Sequence, residues 1–261
     1  MKKQAQENEQ PQATGETGPQ SWEWTGWKQF WLPELWQMCR DFGRLTRSEW
    51  GWILGAILLV GVLIWLILPL DDALLASIKD LRDDDVARGW ADFFGTYGDY
   101  PYYSLATVLI FLLLGTWKRR QDFIRIGLAI FLGASIAGLI GNFFRLTVGR
   151  PRPNAADTVP DGVYGLMWKG RYHAFPSGHT STAFGTGAAV AAAYPPAAIP
   201  ALAISGATAW ARVHQKAHRP TDILGGMLLG ITIGGLFGYI SRRRNGRGVK
   251  LGVKDPPDPA S

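Results

Sequence analysis

Residues Phe175–Tyr194 read FPSGHTSTAFGTGAAVAAAY. A serine, a glycine and a histidine stand at the mouth of a run built almost wholly from small apolar residues. Small residues let helix backbones approach closely, the usual packing of helices within a bilayer. A hydroxyl and free backbone N–H groups at a helix start suit an anion. The stretch therefore predicts a membrane helix with an anion site at its end.

The rest of the chain supports that setting. Of 261 residues, 47% are hydrophobic, yet the apolar residues are bunched into runs separated by polar loops. Runs of roughly 15–22 residues with few charges match the thickness of the hydrocarbon core. The fold class expected is all-α, a polytopic membrane bundle of six transmembrane helices. The spans fall at about 52–70, 102–117, 123–144, 177–194, 197–210 and 222–240, within a membrane domain covering 51–244. Residues 1–20 and 245–261 read as disordered tails, and the first of these carries no apolar core that would mark a cleaved signal peptide. Residues 21–50 are rich in tryptophan, with Trp22, Trp24, Trp27, Trp31 and Trp36 close together. Two readings fit them: an interfacial segment on the bilayer, and a linker packed on the domain. The single cysteine, Cys39, rules out an internal disulfide and a thiolate metal cluster.

Basic residues give an orientation. Arg40, Arg44 and Arg47 precede the first span, Lys118, Arg119 and Arg120 follow the second, and Arg242, Arg243 and Arg244 follow the sixth. The positive-inside rule puts these ends and both termini in the cytoplasm. The acidic loop after the first span, with Asp71, Asp72, Asp80, Asp83, Asp84 and Asp85, falls on the outer side.

This topology gathers three polar segments on the outer face: FFRLTVGRPRPN, FPSGHT and WARVHQKAHRPTD. They carry Arg145, Arg150, Arg152, Ser177, His179, Arg212, His218 and Asp222. Titratable groups beside hydrocarbon are costly and point to function. Guanidinium is always charged and its planar fork matches phosphate oxygens. Histidines beside an anion site point to proton transfer or nucleophilic attack. Asp222, four residues after His218, can accept from one ring nitrogen and leave the other as nucleophile. Together these types describe a phosphoryl-transfer site with no evident metal. Arg150 and Arg171 read as headgroup or solvent contacts, His173 and His214 as loop or wall residues, and Asp92 and Asp99 as helix-end caps.

The three segments resemble the signature of the type 2 phosphatidic acid phosphatase family, the membrane branch of the superfamily that includes vanadium haloperoxidases. Its pattern is Lys-x6-Arg-Pro, then Pro-Ser-Gly-His, then Ser-Arg-x5-His-x3-Asp. Arg145, Arg152 and Pro153 fit the first motif, Pro176 to His179 match the second, and Arg212, His218 and Asp222 fit the third. Arg145 replaces the usual lysine and Ala211 the usual serine. The resemblance implies that His218 attacks phosphorus and that Asp222 orients it. It implies that His179 protonates the leaving oxygen and then assists water. Arg145, Arg152, Arg212, Ser177 and the Gly178 N–H would hold the phosphate.

The resemblance further implies a lipid phosphate substrate reached from the bilayer of a bacterial inner (cytoplasmic) membrane, with no cofactor and no nucleic-acid partner. Undecaprenyl diphosphate, phosphatidylglycerol phosphate, phosphatidic acid and lipid A phosphates are candidates, the undecaprenyl carrier being favoured. A lipid phosphotransferase using the same histidine is the alternative. A proton-coupled transporter fits less well, because spans four to six carry no charge at their middles.

Overall fold

The computed structural model describes residues 27–77, 84–155 and 158–246; the expected tails fall mainly outside these, as do Trp22, Trp24, Asp80 and Asp83. Nine α-helices occur among the described residues: α1 (Trp27–Ser48), α2 (Trp50–Ile67), α3 (Asp71–Ser77), α4 (Asp85–Tyr97), α5 (Leu105–Trp117), α6 (Gln121–Val148), α7 (Gly178–Ala193), α8 (Ala198–His214) and α9 (Pro220–Arg244). No strand is present among them, only one isolated bridge between Arg150 and His173.

Each expected span coincides with a helix. Three meet both length and hydropathy for crossing a membrane: Tyr100–Trp117 (α5 with the turn before it), α6 and α9. At 28 residues α6 is about 42 Å long, more than the hydrocarbon core needs, so its end reaches past the apolar layer. It stops at Gly149, whose φ of 62° is the left-handed conformation that ends helices well. Leucines and isoleucines on α2 and α5, among them Leu58, Leu63, Leu109 and Ile110, face outward, as lipid contact requires.

The α7–α9 pair forms the centre. A Cβ on Gly230 would lie 2.5 Å from the Ser181 carbonyl oxygen, on Gly234 2.1 Å from that of Gly185, and on Gly238 2.4 Å from that of Ala189. Glycine at every fourth position thus lets α9 lie backbone to backbone on α7. Around this seam, Ile126 and Ile130 of α6, Val108 and Phe111 of α5 and Val190 of α7 make one apolar cluster. On the other side, Met38 of α1 packs with Leu128 of α6 and Phe237 of α9. The Phe42 and Phe237 rings stack at 4.6 Å.

α1 is therefore packed on the domain along one face, while Leu32 and Trp36 are exposed. Its buried Glu34 accepts from Arg244 Nε at 2.6 Å and Arg125 Nε at 3.1 Å, and Asp41 pairs with Arg244 at 2.8 Å. The amphipathic α4 lies outside the expected spans. Asp84 starts it by accepting from the Val86 and Ala87 amides, a regular N-cap, and it packs on α8.

Candidate active site

Four chain segments converge at one end of the α7–α9 pair. Ser177 is the N-cap of α7, fully buried, and its Oγ accepts from Thr180 Oγ1 at 3.0 Å and from the Thr180 amide at 3.4 Å. The Ser177 amide donates to the Asp222 carbonyl at 2.9 Å, tying the start of α7 to the start of α9. Arg145, in the last turn of α6, lies against Gly178: a Cβ there would come within 2.8 Å of its Nη1. A side chain at position 178 would push that guanidinium aside. Arg145 Nη2 also donates to Asn142 Oδ1.

The loop after α6 pairs with the loop before α7. Arg152 N donates to the Arg171 carbonyl and Ala174 N to the Arg150 carbonyl. This brings the Ala174 carbonyl to His218, whose Nδ1 stands 2.8 Å from it. The imidazole is fully buried, and Nε2 has no hydrogen-bond partner. The Nε atoms of Arg145, Arg152 and Arg212 are likewise buried without partners. Buried polar atoms left unpaired are costly, so a cluster of them marks where an anion belongs. The charges of Arg145, Arg152 and Arg212 all reach the His179 ring, as does His218.

Burial pushes the His218 ring below the usual imidazole range, and the charges of Arg152 and Arg212 add to that, while Asp222 pulls the other way. With Nδ1–H donating to a carbonyl, the neutral ring keeps its lone pair on Nε2. Burial also lowers Arg152 from the usual guanidinium range.

Asp222 was expected to hold His218 by a direct hydrogen bond. Its Oδ2 is 3.8 Å from Nδ1, and the orienting acceptor is instead the Ala174 carbonyl. Asp222 accepts from Arg150 Nη1 and from the Arg219 amide, both at 2.8 Å. It acts on the ring by charge across that gap.

One sequence expectation is corrected, and two carboxylates gain partners that the sequence did not show. Arg150 is no headgroup contact: it is buried, and besides Asp222 it donates to Thr221 Oγ1 at 2.7 Å and Asp71 Oδ2 at 2.8 Å. Asp71, at the start of α3, is buried and accepts from the Thr221 amide at 2.9 Å. Asp99 does cap the Tyr100 amide at 2.7 Å, but its other oxygen stands 3.3 Å from His179 Nε2. The acidic cluster after the first span hid Asp71, and only the fold brings Asp99 to His179. His214 is buried beside Trp210, and Arg171 is exposed over Tyr172. His173 Nε2 meets the Met167 carbonyl. Among the described residues, no group of three or more His, Cys, Asp or Glu side chains is placed to hold a metal ion.

Residues 126–246 match the PAP2 superfamily. The matched stretch contains all three motifs and bears out the resemblance drawn from them. Over 150 residues the chain is 27% identical to the lipid A 1-phosphatase of Rhizobium johnstonii, a match covering 51% of this chain. It spans 59% of that relative's length. The fold is similar to the crystal structure of a transmembrane PAP2-type phosphatidylglycerolphosphate phosphatase from Bacillus subtilis. That likeness has a TM-score of 0.54 at 18% identity, covering 76% of this chain and 98% of the other. This chain is accordingly an all-helical protein, among the described residues, with three helices long and apolar enough to cross a membrane and a stretch that matches the PAP2 superfamily.

Proposed function

We propose that the chain is an integral-membrane lipid phosphatase that works through a phosphohistidine on His218 and needs no metal. The observation carrying this is the unpartnered, fully buried Nε2 of His218 beside three arginines whose own Nε donors are unpaired. A phosphate dianion would supply an acceptor for each donor and an electrophile for the lone pair. Arg145, Arg152 and Arg212 would hold its oxygens with the Ser177 hydroxyl and the Gly178 N–H, stabilising charge as the phosphoryl group moves.

In the first step the His218 Nε2–phosphorus bond forms and the bond to the lipid oxygen breaks, that oxygen taking a proton from His179. In the second, His179 takes a proton from water, whose oxygen attacks phosphorus and frees His218. The Ala174 carbonyl holds the Nδ1 proton throughout, and Asp222 balances the positive charge that grows on the ring.

Six spans, cytoplasmic termini and an outward-facing site in a bacterial inner membrane complete the reading. Support comes from the basic residues Lys118, Arg242, Arg243 and Arg244, which all fall at the helix ends opposite the site. Similarity to a lipid A 1-phosphatase and a phosphatidylglycerolphosphate phosphatase favours lipid A phosphate and phosphatidylglycerol phosphate over the undecaprenyl carrier as first substrates to try.

The test is phosphate release by detergent-purified protein on a panel of lipid phosphates with EDTA present. Wild type is expected to release phosphate, and His218→Ala to lose at least about a thousandfold while remaining monodisperse. Full activity in the variant removes His218 as nucleophile, and a strict Mg²⁺ requirement removes the metal-free mechanism.

A further inference from the structure

Beside His179 lies a cavity of about 440 Å³, in the size range of small-molecule sites. It is lined by one face of α6, from Ala134 to Arg145, and by Gly178 and His179 at the start of α7. Arg145, Gly178 and His179 belong to both, so the cavity adjoins the arginine cradle.

Its walls are unlike the cradle. Among the described residues that line it, Asp99 is the single carboxylate. The carboxylate is fixed from two sides, by the Tyr100 amide at 2.7 Å and by His179 Nε2 at 3.3 Å. Its charge also reaches Arg145 and Arg212. Besides His179 and the Arg145 guanidinium, which the cavity shares with the cradle, the other polar groups are neutral: the Tyr100 hydroxyl bonded to Ser135 Oγ at 2.7 Å, the Asn142 amide and the Thr182 hydroxyl.

We infer that this cavity receives the leaving group and that Asp99 makes it selective for phosphomonoesters over diphosphates. The inference rests on the phosphatase reading above. When a monoester is cleaved, the P–O bond breaks and the oxygen leaves, with the His179 proton, as part of a neutral alcohol. When a diphosphate is cleaved at its terminal phosphorus, the leaving oxygen belongs to a second phosphate with further anionic oxygens. That phosphate would stand at His179, and so beside a carboxylate already held against the same ring. Like charges at such separations in a partly desolvated site repel strongly. A neutral alcohol meets no such opposition and finds hydroxyl and amide partners on the far wall. Asp99 is thus a specificity-determining residue: Arg145, the guanidinium on this wall, is taken up by the transferred phosphate, which leaves the carboxylate to face the leaving group.

A matched pair of substrates tests this: farnesyl monophosphate and farnesyl diphosphate in mixed micelles, identical in tail and different only in the leaving group. Phosphate release is followed for wild type, Asp99→Asn and Asp99→Glu, each checked for monodispersity. Wild type is expected to favour the monophosphate in kcat/KM. Asp99→Asn should raise the diphosphate-to-monophosphate ratio about tenfold or more, whatever it costs overall, and Asp99→Glu should keep the wild-type ratio within about threefold. Equal loss on both substrates in Asp99→Asn overturns the inference and leaves Asp99 as a support for His179. A wild-type preference for the diphosphate overturns it too. No release from either substrate overturns the phosphatase reading itself.

Discussion

His218 is held by three things at once: a carbonyl on Nδ1, a carboxylate at 3.8 Å, and complete exclusion from water. Its ring is kept below the ordinary imidazole range, so the neutral, nucleophilic form persists as pH falls through about 6.5. The acid limb of kcat/KM governed by this group should therefore lie below about 6.5, as read from a pH–rate profile. The sign for stability is opposite. Below about 6.5 the unfolded chain takes up a proton that the folded ring resists, so wild type should lose thermal stability on acidification from pH 7 to 5, and His218→Gln should lose less. Arg150 gives a second residue-level expectation. It spans two buried carboxylates, and Arg150→Met leaves both Asp71 and Asp222 without their cation. Breaking a buried pair this way costs about 3–5 kcal/mol, measurable as a large drop in detergent unfolding temperature. Arg150→Lys should recover only part of it, since a single ammonium cannot fork between two acceptors.

At the scale of elements, the glycines of α9 set the spacing on which the site depends. The Ser177 amide bonds to the Asp222 carbonyl because the two helix starts are held together, and the seam below them has no room for side chains. Gly234→Leu would force α9 off α7 deep in the bundle. Overpacking of this kind costs about 1–3 kcal/mol or more. The expected result is a lower unfolding temperature together with a loss of turnover far from any substituted catalytic group. The seam was partly legible in the sequence. The small residues of the fourth span predict close packing there, and the tightest contact joins it to the sixth, where glycine recurs every four residues from Gly226 to Gly238. α4 was not read as an element, since its apolar residues form a half-buried surface helix and not a span. The three motifs were legible because their residue types and spacing carry the chemistry directly. Asp71, Asp99 and Arg150 were not, because burial and pairing across long stretches of chain decide what they do.

For the whole molecule, the two ends of the bundle carry different electrostatics. One end holds the arginine cradle. The other gathers Glu34, Asp41, Arg125 and Arg244 into a clamp that fastens α1 to α6 and α9. The proposed orientation puts this clamp, and the nearby exposed Cys39, in the cytoplasm. Because Cys39 is the one cysteine of the chain, the native protein carries its own topology probe. A membrane-impermeant maleimide should label it in inverted vesicles and leave it unlabelled in intact spheroplasts; the reverse pattern would invert the topology.

The bond from the Thr221 amide to Asp71 joins positions 150 residues apart, and it has a consequence for biosynthesis. A chain made from its N-terminus presents the Asp71 carboxylate long before Arg150 is synthesised, and longer still before the start of α9 exists. Until Arg150 is made, the corner after α2 holds an acid without its cation, and until α9 is made it also lacks the Thr221 amide. The reaction centre is in this sense a closing stitch. A chain stalled before α9 has Arg150 to hold Asp71, but lacks the Thr221 amide and the glycine seam that close the corner.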